Sequence, residues 1–395
     1  MVGENLEALK RREMLRSVID KKQISELINT KFETITPETG LSDAVAQMRA
    51  KDLYEIPVVD KKKLVGVLSL GSMVKKRAMV AGMKVKGMMD IPPGITAETT
   101  ITEAAEQFIA TNYRNMPVVK GTSLVGVVSR GDIIKIVQGI KEFKDMKATD
   151  LMTYDITAVQ AKEPIRNALE MMRRIDVRTI PVVDENFKLT GIIGIRDIIN
   201  YSWTGGRVQK ETRGEKVGNR DPVEITVESI MHMAVTTIKP ETTVNDAVKI
   251  MLEKNISTLP VVEKDIVKGV LTAYDVLELM ASVKERDVVY MQISGLEEED
   301  RFNLDMMEKE IQSELAKIAK IQKPTLFNLH VQKYNASGNT AKYSLNGRMH
   351  TAQKTYMASG VNWSLMAATS DLMKRFDEMV TENKEEKLDK RKKMQ

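Results

Sequence analysis

The chain has 395 residues, 42% of them hydrophobic, 29% charged and 5% aromatic, with a formal net charge of +5. That length supports two to four domains, each with its own core, and the composition is that of an ordinary globular protein. The absence of Cys excludes a disulfide scaffold, a thiol nucleophile, an iron–sulfur cluster and a Cys-built zinc site. Three histidines, His232, His330 and His350, are too scattered for a His-rich metal centre, so no metal is expected. No apolar run approaches the roughly 20 residues of a membrane span. The first residues, MVGENLEALKRREMLRSVIDKK, are charged throughout and hold no signal-peptide core. The expectation is a cytoplasmic protein with no membrane partner. Residues 1–20 read as a basic N-terminal helix.

From there the chain repeats itself. Four segments share one template: residues 21–80, 81–140, 144–201 and 223–282. An Ala (Ala44, Ala104, Ala168, Ala247) precedes a Pro (Pro57, Pro117, Pro181, Pro260) by 13 positions each time, and a Gly (Gly66, Gly126, Gly191, Gly269) follows that Pro by 9, 9, 10 and 9. Each copy reads as helix, strand, strand, helix. In the fourth, Val244, Ala247, Val248 and Met251 fall on one helical face. Pro-Val-Val then opens a short apolar strand, where a missing amide donor is tolerated at the first position. A charged turn and a second strand follow, and Asp275 starts the last helix. This pattern resembles the CBS domain, whose repeats pair sheet to sheet. The resemblance implies two CBS-pair modules, first with second and third with fourth.

Residues 202–222 interrupt the third and fourth repeats. They are rich in Gly and charge and read as an exposed loop. Their cations (Arg207, Lys210, Arg213, Lys216, Arg220) outnumber three acids. Two readings stay open: a solvated linker, or an arm that orders on RNA.

The CBS resemblance implies adenine-nucleotide or S-adenosylmethionine sites marked by Gly-h-h-Ser/Thr-x-x-Asp after the second strand. The carboxylate accepts from ribose hydroxyls, and the hydroxyl faces phosphate at a helix N-terminus. Ser129 with Asp132 and Thr272 with Asp275 match. The first repeat has Ser69 but Ser72 in place of the acid, and the third has Asp197 but Gly194 in place of the hydroxyl. The same residues are also good helix caps, and that alternative stays open. AMP, ATP or S-adenosylmethionine is thus expected as a regulatory ligand at most, and no cofactor is required.

Residues 61–89 hold eight Lys/Arg and no acid, among them Lys75, Lys76, Arg77, Lys84 and Lys86. Two readings stay open: contact with a phosphate backbone, or cations that suit a solvated helix end.

The repeat stops near residue 283. Residues 284–380 read as strand (DVVYMQISG), long amphipathic helix, three strands (TLFNLHVQKYN, AKYSLNGRMHT, KTYMASGVNWS) and a final helix. Phe302, Met306, Ile311, Leu315 and Ile318 are expected on the long helix's buried face, with Pro324 ending it. NASGN is a turn, and residues 381–395 are expected to be disordered. The order β-α-β-β-β-α makes a two-layer α+β unit with both helices on one face of the sheet. The fold class is therefore α/β and α+β: two CBS-pair modules, then a β-α-β-β-β-α domain. That domain resembles the bacterial ribosome hibernation-promoting factor domain.

Charge in this region is segregated. Residues 284–316 carry four basic and ten acidic groups. Residues 317–375 carry nine basic and one acidic. Lys317, Lys320, Lys333, Lys342, Arg348, Lys354, Lys374 and Arg375 are the candidate rRNA contacts, chosen on charge alone. His350 and Tyr343 read as sheet residues rather than stacking platforms.

Four CBS repeats joined to such a domain resemble archaeal CBS-domain ribosome hibernation factors of the dual ribosomal subunit inhibitor type. That resemblance implies a non-enzymatic, translation-silencing factor whose partners are ribosomal subunits, held through rRNA and ribosomal proteins. The alternative is an adenine-nucleotide or S-adenosylmethionine sensor acting on a protein partner. A regulator related to inosine monophosphate dehydrogenase is a weaker third reading. The sequence has no Walker loop, no HExxH and no readable Ser/His/acid set.

Overall fold

The computed structural model describes residues 15–19, 21–75, 82–154, 157–174, 177–205, 225–284, 289–296, 300, 303–335, 341–351 and 355–392. Two compact units result. Lys21–Leu277 forms one, and Glu278–Gln395 groups with the N-terminal residues in the other. Of the expected N-terminal helix, residues 15–19 are helical, with Leu15 and Ile19 buried.

In the first unit the four repeats build the same motif. Repeat one has α1 (Leu41–Ala50), β1 (Glu55–Asp60), β2 (Lys63–Ser69) and α2 (Leu70–Lys75). Repeat two has α3 (Ile101–Thr111), β3 (Asn115–Lys120), β4 (Ser123–Ser129) and α4 (Arg130–Lys135). Repeat three adds a short strand β5 (Val159–Gln160) before α5 (Ile165–Arg174), β6 (Thr179–Val183), β7 (Leu189–Gly194) and α6 (Ile195–Gly205). Repeat four has α7 (Val244–Glu253), β8 (Thr258–Glu263), β9 (Ile266–Thr272) and α8 (Ala273–Ser282). The first helix of a repeat starts on a side-chain cap where the sequence offers one. Thr100 accepts from the Glu103 amide in a capping box, and Thr243 accepts from the Asp246 amide. Val244, Ala247, Val248 and Met251 are buried, as their spacing predicts. The leading strand escapes a period-2 reading because it is one or two residues long. Ile35, Ile95 and Ile238 bridge in parallel to Val58, Val118 and Val261, and β5 does the same to β6.

Repeats pair first with second and third with fourth. β1-β2-β4-β3 forms one sheet, joined where Lys63 meets Ser123. Lys188 bridges Ile266 in the second pair. Each repeat's leading segment crosses onto its partner: Asn29 pairs with Val127, Asp90 with Val67, Thr153 with Val270 and His232 with Ile192. This exchange explains the recurring glycine. A Cβ on Gly126 would run into Ile28 Cγ2 and lie 2.9 Å from the Asn29 carbonyl, and one on Gly269 would lie 2.9 Å from the Thr153 carbonyl. Gly66 and Gly191 meet Met89 and Met231 in the same way.

The second unit is a four-stranded sheet with two helices. It comprises β10 (Tyr290–Ser294), α9 (Leu304–Ile318), β11 (Pro324–Asn335), β12 (Ala341–Thr351), β13 (Thr355–Asn362) and α10 (Leu365–Lys392). The sheet order is β10-β11-β12-β13, with β10 parallel to β11 and the other pairs antiparallel. Alternation sends Phe327, Leu329, Val331, Leu345 and Met349 to one face, under Met307, Ile311, Leu315 and Ile318 of α9 and Leu372 and Phe376 of α10. Phe327 and Phe376 meet edge to face at 5.5 Å. Gly347 and Gly360 leave room for Phe376 and for the Ala368 carbonyl.

Three expectations are corrected. Met306 is exposed and Met307 takes its place, because 307, 311, 315 and 318 make the continuous stripe; Phe302 lies outside the described residues. Pro324 opens β11 rather than following the helix as a bare stop. The tail is helical to Lys392, since residues 381–392 hold mostly Glu, Lys, Leu and Arg with no Gly or Pro. The NASGN turn and most of the 202–222 insertion lie outside the described residues.

Candidate functional site

The two complete hydroxyl–carboxylate signatures fold into caps. Ser129 N donates to Asp132 Oδ2 at 2.9 Å and Asp132 N returns to Ser129 Oγ at 3.1 Å. Thr272 N donates to Asp275 Oδ2 at 2.6 Å, the Thr272 hydroxyl donates to the same oxygen at 2.7 Å, and Asp275 N returns at 3.2 Å. Each pair is thus brought together at the N-terminus of its repeat's last helix, where the dipole favours an anion. Asp275 is buried. In repeat three Asp197 accepts from Gly194 N at 2.8 Å and lies 3.0 Å from His232 Nε2. In repeat one the Ser69 hydroxyl accepts from Gly71 N at 3.2 Å, with no carboxylate at Ser72. Beside these strand ends, at one equivalent position of three leading segments, stand the exposed apolar residues Ile91, Tyr154 and Met233.

A cluster that charge counting alone does not single out lies at the position three residues before each recurring proline. Those residues are Tyr54, Arg114, Arg178 and Ser257. Every one is tied down identically: its carbonyl accepts from the first amide of its repeat's last helix, Leu70 N, Arg130 N, Ile195 N or Ala273 N, at 2.8–3.0 Å. The four side chains converge. Arg114 stacks 3.9 Å from the Tyr54 ring centroid and donates to the Ser257 hydroxyl. Arg196 stacks on the same ring at 3.9 Å and pairs with Asp52. Arg178 donates to Glu55 Oε1 at 3.2 Å and to the Asn112 carbonyl. Arg130, itself buried, donates to Asn112 Oδ1 at 2.8 Å, lies 5.7 Å from the Tyr274 ring centroid, and keeps a buried Nε with no hydrogen-bond partner. Asn112 holds the left-handed conformation (φ 54°) that turns its side chain back at the end of α3.

Of these four guanidinium groups, Arg178 pairs with Glu55 and Arg196 with Asp52, while Arg114 donates to Ser257 and Arg130 to Asn112. Glu55 is already satisfied, accepting also from Arg114 N at 3.0 Å and Asn115 N at 2.9 Å. Burial pushes Arg130 down to about 9, and Arg178 and Arg114 add to that as like charges. Burial likewise lowers Arg114. Gly71 opens one approach: a Cβ there would stand 2.8 Å from Arg178 Nη2. Thus Arg178 reaches the helix end that lost its carboxylate at Ser72. A partly buried excess of cations with an unused N–H is an arrangement that an anion completes, and guanidinium suits phosphate in particular. The signal in the sequence was the position itself: Tyr, Arg, Arg and Ser three before the proline of four aligned repeats.

The charge-selected residues fare differently. Lys84 and Lys86 both pair with Glu38, the latter at 2.8 Å, so two of the eight cations of residues 61–89 are compensated by an acid outside that window. Lys333 is inward-facing and pairs with Asp300 at 3.0 Å, and Arg348 is held by buried Glu278; neither is a surface contact, because alternation places them at internal positions. Lys317 pairs with Glu314 at 2.6 Å, and Lys374 lies 3.9 Å from Glu378. Lys320 and Lys342 are exposed. Arg375 donates to the Ser359 carbonyl at the edge of β13. Lys75 ends α2, while Lys76, Arg77, Arg207, Lys210, Arg213 and Lys354 lie outside the described residues. His350 is buried, and Tyr343 is half-buried with its hydroxyl donating to Asp300 at 2.8 Å; both are sheet residues, as expected.

The CBS domain model matches residues 24–78, 85–139, 148–204 and 227–282. These make up more than half of the chain, and the chain belongs to the CBS domain family. Among relatives, the protein MJ1404 of Methanocaldococcus jannaschii is 24% identical over 343 residues, covering 85% of this chain and 80% of that one. MJ1225 of the same organism is 26% identical over 279 residues, 64% of this chain and 96% of that one. The crystal structure of MJ1225, described as a candidate archaeal homologue of γ-AMPK, superposes with a TM-score of 0.57 at 24% identity, over 65% of this chain and 99% of that one. That likeness establishes a shared fold over the matched part of the chain. Among the described residues no helix is long and apolar enough to cross a membrane.

Proposed function

We propose that this chain is a regulatory protein, not an enzyme, whose four-repeat unit senses an adenine nucleotide. The observation that carries the reading is the clustering of Arg114, Arg130, Arg178 and Arg196, of which Arg178 and Arg196 pair with a carboxylate and Arg130 keeps a buried N–H without a partner. Phosphate is the ligand group that answers it. The cluster also ranks the candidates: AMP and ATP bring anionic phosphate to it, whereas S-adenosylmethionine brings a sulfonium cation and a zwitterion. Thr272 and Asp275 form the fuller ribose-side site, because Tyr154 stands exposed beside that strand end and offers a ring face to adenine. Calorimetry with AMP, ATP, adenosine and S-adenosylmethionine tests this. AMP and ATP binding that falls roughly 10- to 100-fold in Arg130→Gln supports it, as expected from losing one charge-assisted contact. Adenosine binding as tightly as AMP, or no nucleotide binding at all, refutes it.

A second reading is a ribosome-binding silencing factor whose C-terminal unit contacts rRNA in the cytoplasm. Its support is the exposed cations Lys320, Lys342 and Arg375, together with the β-α-β-β-β-α order. Sucrose-gradient co-sedimentation with ribosomal subunits, weakening steeply as salt rises, is its expected outcome. A protein that stays at the top of the gradient at every salt concentration removes it.

A further inference from the structure

The face of the second unit's sheet turned away from α9 and α10 has two different ends. Register places Asn328 opposite Arg348 and Leu326 opposite His350, and this end is closed by Glu278, which accepts from Asn328, Arg348 and His350. At the other end Tyr334 lies opposite Lys342, and Ser344 opposite Val361. There Tyr334, Val361 and Trp363 are 37%, 50% and 61% exposed. Lys342 Nζ sits 5.6 Å from the Trp363 ring centroid, which places that ring on the same face. Trp363 is one of two tryptophans in a chain with 5% aromatics, and it stands mostly in water.

The chemistry around these rings narrows the occupant. From His330 to Tyr334, Lys342 to Asn346 and Ser359 to Trp363, the residues alternating onto this face include no carboxylate. Lys342 supplies a cation between the rings and Arg375 another at the β13 edge, and the Tyr334 hydroxyl donates to Gln332 Oε1 at 2.8 Å. Tyr334 and Trp363 lie two strand spacings apart, roughly 10 Å, which leaves room for one base against each. Aromatic rings on an open sheet, flanked by cations, stack unpaired bases; a duplex keeps its bases stacked inside and cannot offer them.

We propose that Tyr334, Lys342 and Trp363 form a stacking site for single-stranded RNA. This deepens the RNA-binding reading above and rests on it. The test uses the full chain, a fluorescently labelled oligouridylate, a hairpin duplex of equal length and purified ribosomal subunits. The expected result is single-strand binding that falls at least about 10-fold in a Tyr334→Leu/Trp363→Leu variant, as loss of two base stacks implies, with AMP binding unchanged. A Trp203→Phe background keeps the test sharp if that variant fails to fold. Emission then comes from Trp363, and single-stranded RNA must quench it. Binding that is undiminished in the double variant, absent quenching, or equal affinity for the duplex overturns the stacking site while leaving charge-driven RNA binding intact. Failure of the wild-type protein to bind either oligouridylate or subunits overturns the RNA reading and this site together.

Discussion

The two units use their arginines in opposite ways. In the repeat unit four guanidinium groups cluster, Arg178 and Arg196 pair with a carboxylate, and one Arg130 N–H stays buried without a partner. In the C-terminal unit several cations are answered, while Lys320, Lys342 and Arg375 are exposed. Asp300 takes Lys333, Glu314 takes Lys317 and Glu278 takes Arg348. The ten acids of residues 284–316, which look segregated along the chain, fold back in part onto the basic stretch that follows. A charge excess along the sequence is therefore weak guidance to a charge excess in space. A surplus lies in the repeats, where four arginines from the second and third repeats come together, two of them, Arg114 and Arg178, at matched positions far apart in the chain.

The largest effect should come from breaking the answered pair. Glu278 is buried; burial would raise its carboxyl, and Arg348 and His350 overcome this and hold it at about 2. Its Oε2 lies 2.9 Å from His350 Nε2, whose other ring nitrogen faces the Thr355 hydroxyl at 3.0 Å. Arg348→Met strands the carboxylate and should cost about 3–5 kcal/mol, read by denaturant unfolding. The pH dependence follows from a depressed folded value. The stabilisation is fully present above the unfolded carboxyl's range near 4.5 and is lost as pH falls from there toward about 2. Integrated over that interval it is about 3 kcal/mol. A Glu278→Gln protein should show a flatter acid limb than wild type. Equal slopes would mean the pair contributes nothing.

Next in size is the exchange between repeats. Gly126→Ala puts a methyl 2.9 Å from the Asn29 carbonyl, a backbone atom that cannot rotate away. About 1–3 kcal/mol of destabilisation is expected. Gly94→Ala, where an added Cβ meets nothing within 4 Å, is the matched control. If both variants melt together, the crossing of leading segments is not what the recurring glycine serves.

How much of this was legible in the sequence depends on whether a feature is local or repeated. The repeat, its pairing and the β-α-β-β-β-α order were readable because period and punctuation are local properties. The leading strands were not, because one- and two-residue strands carry no period. Ser129, Asp132, Thr272 and Asp275 were readable as pairs, and the structure brings each pair together at a helix start. The arginine cluster was missed because its arginines belong to two different repeats, Arg114 and Arg130 to the second and Arg178 and Arg196 to the third, and only the register of the copies aligns Arg114 with Arg178. Lys333 and Arg348 were misread because a strand residue's side is set by alternation: Lys333 shares its parity with Phe327, Leu329 and Val331, and Arg348 lies on the face closed by Glu278.

The unanswered side of the comparison makes a smaller, conditional prediction. Arg130→Gln removes a buried charge that has like-charged neighbours and keeps a donor for Asn112. Stability without added anion should change by less than about 1 kcal/mol. In wild type, AMP at a hundred times its dissociation constant should add about 2.7 kcal/mol, and in the variant it should add much less at the same concentration. Thermal melts with and without AMP read both numbers. Equal AMP-induced shifts would show that the surplus of guanidinium is not the phosphate site.

The smallest effect belongs to Glu38, the exposed acid that answers Lys84 and Lys86. Those two lysines hold its carboxyl at about 2, so its contribution is present above the ordinary carboxylate range and lost as pH falls toward that value. All three groups stand in solvent, where salt screens them. Glu38→Gln should therefore leave the denaturation midpoint within error of wild type at moderate salt. What it should change is availability: two lysines lose their partner and become open to phosphate. If repeat one touches RNA through this surface, the variant should bind ribosomal subunits more tightly than wild type at low salt, with a steeper loss as salt rises. Unchanged affinity and slope would mean that Lys84 and Lys86 take no part in RNA binding, and that their charge serves only the local pairing seen here.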